Sequence, residues 1–419
     1  MGYKRFTTLL EGFAIEGKGN HFYTRGWYIT PLLKSVILKN FRLAAKTSSG
    51  LEQILANEIK AIGGKNITLG NRAVFYEGDL EVIYKSNYLL RTALRVLKEI
   101  EFFRFKNVDQ FYLKCKDIDW FQYLTVDQSF VIHSTVGNSN DFTNSMFASL
   151  KAKDAIADYF RQKLGKRPNV DTENPEIVID LHIHGDECTI SLDSSGDSLH
   201  KRGYRIKQGE APLNEVLAAG MIFLTGWKGE CDFLDPMCGS GTLPIEAAMI
   251  ACNIPAGKFR KNYAFENWRD FDQLLLDSIK EAAIKKDFKY NIYASDISAG
   301  NLLNAQTNAR RALVFNKIKF LVSDFQVLKI DLNNGIIIIN PPYGERLKER
   351  DLNELYAMMG ERLKHQFAGN NAWILSSSME SFKFVGLKPE IKLDLFNGSL
   401  KCKFNNYKLF SGKRNERTK

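Results

Sequence analysis

Residues 231–248 read CDFLDPMCGSGTLPIEAA: an apolar run closed by Asp235, a turn holding Gly239 and Gly241, and a helical pattern opening at Thr242. The glycines let the backbone bend tightly and approach a ligand, and the free N–H groups of the following helix favour negative charge. The dinucleotide fingerprint requires glycine or alanine three positions after the second glycine, and Pro244 stands there, which disfavours nicotinamide or flavin. The chain contains no Gly-x4-Gly-Lys-Ser/Thr loop, so nucleotide hydrolysis is not indicated.

Downstream the pattern repeats. NIYAS (291–295), a helix from Ser298 to Leu313, IKFLV (318–322), GIIIIN (335–340), AWILSS (372–377) and KCKFNNYKLF (401–410) alternate strand and helix. Such alternation predicts an α/β domain with a doubly wound, mainly parallel sheet, whose ligands lie beyond the carboxyl ends of the strands. The residues that end each strand are therefore the candidate site. Asp296 stands where a carboxylate accepts ribose hydroxyls, and Asp324 and Phe325 stand where an adenine amine and ring would meet an acceptor and a stacking face. After four isoleucines, Asn340, Pro341, Pro342 and Tyr343 follow. The Asn340 oxygen and the Pro341 carbonyl are two acceptors suited to an exocyclic amine, and Tyr343 offers a face for an extruded base.

Upstream, residues 41–198 read as an α+β region: FRLAAKTS, the amphipathic LEQILANEIKAIGG, RAVFYEG, a helix from Leu80 to Lys98, the alternating SFVIHSTV, a helix from Ala148 to Leu164, and a hairpin formed by EIVIDLHIHG and ECTISLDSSG. Lys151, Lys153, Arg161, Lys163, Lys166 and Arg167 lie along or just past that last helix, and Arg202 and Arg205 sit between the two regions. These eight are the candidate nucleic-acid contacts. Residues 1–40 form an aromatic, basic appendage, or the coding start lies near Leu38, and 413–419 form a basic tail. The net charge of +10 over 419 residues favours a polyanionic partner. Six scattered cysteines without a CxxC pair suggest neither disulfides nor a metal site, and fit reduced thiols in cytoplasm. No apolar run approaches the ~20 residues of a membrane span.

The motifs DPMCGSGT, ASDIS, SDF and NPPYGERL resemble those of class I S-adenosylmethionine-dependent methyltransferases of the amino-group branch. SLHKRGYR with APLNEVLAAGMI, and the upstream FRLAAKTSSGLEQILANEI, GNRAVFYEGDL, LRTALRVLK and KDAIADYF, are similar to the THUMP-domain RNA guanine-N2 methyltransferases of bacteria. The likeness covers residues 41 to about 412. It implies a ferredoxin-like/THUMP RNA-binding region (41–198) before a Rossmann-like methyltransferase domain (199–412) with a mainly parallel seven-stranded sheet. It also implies a cofactor site of Asp235, Pro236, Gly239, Gly241, Thr242, Asp296, Ile297, Asp324, Phe325 and Asn340. The expected reaction is methyl transfer to guanine N2 in RNA, 23S ribosomal RNA first, on Asn340, Pro341, Pro342 and Tyr343, without metal or membrane. The alternatives are an adenine-N6 DNA methyltransferase, a tRNA guanine-N2 methyltransferase, and an RNA-binding protein with a silent methyltransferase fold.

Overall fold

In the computed structural model, the described residues are 40–206, 213–332, 334–342 and 349–410. Most of the appendage, the tail and Tyr343 therefore lie outside them. The first half runs β1 (Phe41–Lys46), α1 (Glu52–Ala61), β2 (Lys65–Gly70), β3 (Ala73–Gly78), α2 (Leu80–Leu89), β4 (Arg95–Arg104), α3 (Val108–Asp117), β5 (Ser129–Gly137), α4 (Ser145–Leu164), β6 (Asn169–Val170), β7 (Ile177–His184) and β8 (Glu187–Asp193). These strands form one eight-stranded sheet in the order β2-β3-β1-β4-β8-β7-β5-β6. The long β4 pairs antiparallel with β1 on one side and β8 on the other, and so fuses two α+β halves into one sheet.

β4 also corrects the sequence reading, in which residues 80–98 form one helix. The helix stops at Leu89, and Arg95–Arg104 is a strand. Val96, Leu97 and Lys98 are buried in succession, because the start of the strand is covered on both faces, and this removes there the alternation that marks a half-buried strand. α4 matches its pattern more closely. Asn144 caps it by accepting from Met146 N, and Gly165, at φ 68°, ends it in the left-handed conformation that glycine adopts without strain.

The second half runs α5 (Glu215–Leu224), β9 (Phe233–Asp235), α6 (Thr242–Ala251), α7 (Gln273–Glu281), β10 (Ile292–Asp296), α8 (Ala299–Arg311), β11 (Ile318–Val322), β12 (Ile336–Ile339), α9 (Glu349–Gln366), β13 (Asn371–Ser376), β14 (Ile391–Asn397) and β15 (Leu400–Lys408). The sheet order is β11-β10-β9-β12-β13-β15-β14. It is parallel except for β15, which runs antiparallel between β13 and β14. The chain builds outward from β9 through β10 to β11, then returns to lay β12 on the other side of β9. That reversal opens a crevice at the carboxyl ends of β9 and β12.

Residues 39–419 cluster as one compact unit, and two features weld the halves. The segment between α6 and β10 leaves the second half and packs into the core of the first: Phe265 stacks on Tyr84 at 4.3 Å and on Tyr263 at 5.1 Å. Trp268, Leu276 and Ile279 join the same cluster. The second weld is polar. Arg202 (1 % side-chain exposure) faces Glu246 of α6 (0 %) at 3.4 Å. Its guanidinium also donates to the Leu199 and Arg91 carbonyls, and the Tyr204 hydroxyl donates to Glu246 at 3.0 Å. Arg91, just after α2, reaches the Ile254 carbonyl beyond α6. A buried charge stripped of its partner is costly, by about 3–5 kcal/mol. Glu246→Ala is therefore expected to lower stability by about that amount, read as a shifted urea midpoint in a transition that stays single because the aromatic weld of Phe265 on Tyr84 still joins the halves.

Candidate active site

Four strand ends meet at the crevice, and hydrogen bonds lace three of them. Asp235 ends β9 almost fully buried; its Oδ1 accepts from Met237 N at 3.2 Å, and burial, then the nearby Asp296 carboxylate, pushes its acid group well above the usual carboxylate range. Asp296 ends β10. Its Oδ2 accepts from Gly239 N at 2.8 Å, and its Oδ1 accepts from Ser298 N at 2.9 Å and Asn301 Nδ2 at 3.2 Å. One carboxylate thus clamps the glycine turn of β9 to the start of α8. Ser323, after β11, donates its N–H to the Asp296 carbonyl at 3.1 Å.

The two glycines of the turn do different work. A Cβ on Gly241 would sit 2.8 Å from the Ala305 Cβ of α8, so this glycine lets the helix close on the turn. A Cβ on Gly239 would meet nothing within 4 Å. Gly239 has φ 53° and borders open space, as a backbone meant to touch a ligand does. Asn308 of α8 supports the turn from behind: its Nδ2 donates to the Ser240 carbonyl at 3.1 Å, and its Oδ1 accepts from Ile206 N at 3.1 Å. Sequence reasoning missed Asn301 and Asn308. Their only signal was two asparagines, poor helix formers, seven residues apart and so on one face of the helix, with Asn304 between them.

β12 delivers the remaining groups. Ile337, Ile338 and Ile339 are fully buried, Pro341 is buried, and Pro342 is half-buried. The Asn340 Oδ1 is buried and accepts no hydrogen bond among the described residues. Such an atom forgoes about 1–3 kcal/mol until a donor reaches it. Ile297, 70 % exposed beside Asp296, offers an apolar surface at the tip of β10.

Other expected site residues are placed differently. The Phe325 ring is 2 % exposed and stacks on Phe367 at 5.8 Å within the core under α9, so it has no free face for an adenine. Asp324 spends its Oδ1 on Gln326 N at 2.8 Å in the turn. Pro236 is buried, and the Thr242 hydroxyl accepts from Arg205 at 2.9 Å. The Cys238 thiol is buried, and that burial first, then Asp235 and Asp296, holds it well above its ordinary value; it packs and does not attack. Arg202 and Arg205 are committed to Glu246 and Glu215, with side chains 1 % and 10 % exposed, and are not open to RNA. Along α4, Lys153 pairs with Asp154, Arg161 with Asp158, and Lys151 lies over the Phe147 ring, whereas Lys163, Lys166 and Arg167 are exposed at the helix end.

Residues 202–406 match the RMKL-like methyltransferase domain model, 105–193 the THUMP domain, and 42–97 the RlmL ferredoxin-like domain. The chain is 35% identical over 370 residues to the "Putative RNA methyltransferase slr0064" of Synechocystis sp., covering 87% of this chain and 96% of that one. The chain belongs to the RMKL-like THUMP methyltransferases. It is also 39% identical over 372 residues to the "Ribosomal RNA large subunit methyltransferase K/L" of Psychromonas ingrahamii, covering 87% of this chain but only 49% of that protein. It thus spans about half the length of that relative. Among solved structures, "SMU.472, a putative methyltransferase complexed with SAH" superposes with TM-score 0.81 at 30% identity over 90% of this chain and 100% of that one. The two-sheet architecture described above is therefore that of the family.

S-adenosylmethionine is the methyl donor of this family, and the strand ends fit it: an open glycine turn at Gly239, two acidic side chains at Asp235 and Asp296, an apolar tip at Ile297 and an acceptor at Asn340 with no donor among the described residues. Gly239→Ala is expected to cost stability only about 1–2 kcal/mol for its left-handed backbone, yet to weaken SAH binding by about tenfold or more in calorimetry. Gly241→Ala, crowded by Ala305, is expected instead to lower the urea midpoint first. His200 yields a pH prediction. Burial, then the cations Arg202, Lys201, Arg205 and Arg260, lower its pKa from 6.5 to about 4. The unfolded chain binds this proton more readily, so His200 contributes stability above pH 6.5 that is lost as pH falls toward 4. Urea midpoints measured across that window are expected to fall less in His200→Gln than in the wild type.

Proposed function

We propose that this chain transfers a methyl group from S-adenosylmethionine to the exocyclic N2 amine of a guanine in RNA, with 23S ribosomal RNA as the leading substrate. The observation that carries the reading is the Asn340 Oδ1, a buried acceptor with no donor among the described residues, at the end of a wholly buried strand. It is followed by two prolines that supply carbonyls and no N–H.

In this reading the bound cofactor supplies a sulfonium methyl already activated for transfer, and the protein's task is alignment, which can contribute ~7–11 kcal/mol. Asp235, Gly239, Gly241 and Asp296 hold the cofactor's methionine and ribose parts, with only the backbone of Pro236 and Thr242 bordering it, and Ile297 and Asp324 border the adenine. Asn340 and the Pro341 carbonyl accept the two amine hydrogens and turn the nitrogen lone pair toward the methyl, with Tyr343, outside the described residues, as the stacking ring. No strong base is needed. The methylated nitrogen sheds its proton to water, while the Pro341 carbonyl accepts its N–H hydrogen bond until the proton leaves. Residues 41–198 hold the RNA, and Lys163, Lys166 and Arg167 present exposed charge for its phosphates. The name of the Psychromonas relative, a ribosomal RNA large subunit methyltransferase, supports ribosomal RNA over DNA.

Nucleoside mass spectrometry on RNA from a strain lacking the gene is expected to show loss of one N2-methylguanosine; loss of N6-methyladenine from DNA would overturn the assignment. Asn340→Ala is expected to keep SAH affinity while methyl transfer falls by ~100-fold or more, because only the amine loses its acceptor. Unchanged turnover in that variant would remove Asn340 from the mechanism.

A further inference from the structure

A cleft of about 590 Å³ opens where the connector after β8, the start of α5, the loop 259–262 and the end of α8 converge. Its size falls within the range of ligand sites, yet its lining is charged: six Lys or Arg side chains and two carboxylates. Both carboxylates are already satisfied, Asp197 by Lys201 at 2.8 Å and Glu215 by Arg205 at 2.7 Å. Arg260, on the back wall, donates to the Ser195, Asp197, Ser198 and Lys201 carbonyls, so its charge is held in place by neutral partners. At the mouth, Lys261 and Arg311 are exposed. His200, inside, is held neutral by burial and by the surrounding cations.

The cleft adjoins the cofactor turn. Arg205, in its wall, donates to the Thr242 hydroxyl at 2.9 Å, the first residue of α6. We infer that this cleft grips the phosphate backbone of the RNA next to the target nucleotide, with Lys261 and Arg311 as the contacting cations and Arg260 as a fixed charge behind them. The inference rests on the RNA reading above. It moves phosphate contact from Arg202 and Arg205, which are buried and paired, to exposed neighbours on separate elements, and it gives a flipped base an anchor beside the chemistry. Ion pairing to phosphate releases condensed counterions, so each contact leaves its mark on the salt dependence of binding.

The test uses the full chain carrying Lys261→Glu with Arg311→Glu, and a milder Lys261→Gln with Arg311→Gln pair, against ribosomal RNA from a strain lacking the gene. SAH affinity is expected to stay at the wild-type value. RNA affinity at about 0.1 M salt is expected to fall roughly tenfold or more in the Glu pair and less in the Gln pair, with the slope of log K against log salt shallower by about 1.4–1.8 for two lost contacts. An unchanged slope and affinity in both variants overturns the inference while leaving the RNA reading intact. Weakened SAH binding overturns it in favour of a cofactor role for the cleft. A wild-type protein without salt-dependent RNA binding overturns both.

Discussion

The pairing of Arg202 with Glu246 is the constraint on which the rest depends. Glu246 lies on the helix that begins at the glycine turn, and Arg202 lies on the connector and reaches back to the Arg91 and Leu199 carbonyls. Neither charge has access to water, so displacing one half relative to the other would leave both uncompensated. The same few residues therefore fix the connector, the second turn of α6 and the end of α2 together. The first half's sheet and the strand-end crevice are thus parts of one packed arrangement.

The chemistry at the crevice follows from the way a parallel sheet is made. Strands covered on both faces must be apolar along their length, and polarity reappears only where they end. Asp235, Asp296 and Asn340 mark such ends, which is why they were legible in the sequence. Phe325 was not, because an aromatic after a strand reads the same whether it turns outward to a ligand or inward to a partner such as Phe367. Arg202 and Arg205 misled for a related reason: a guanidinium between two domains serves phosphate and buried carboxylate equally well, and only the placement of Glu246 and Glu215 decides.

Other misreadings were tertiary in origin. The start of β4 looked helical because Val96, Leu97 and Lys98 are buried in succession, which hides the period of a strand, and its partners are distant in sequence. The segment from 255 to 283 gave no sign that it would leave its own sheet, since stacked aromatics such as Tyr263 and Phe265 are as compatible with either core. The order of the strand–helix units, the hairpin of β7 with β8 and the basic end of α4 were all readable from local pattern and turn residues.

That crossing segment bears on the history of the gene. Where two halves merely sit side by side, recombination can exchange one for another with little penalty. Here any exchange that split the coding sequence near residue 200 would orphan Tyr84 from Phe265 and leave a greasy face on each product. The pieces must therefore be inherited together, and substitutions on one side of the seam are answerable to those on the other.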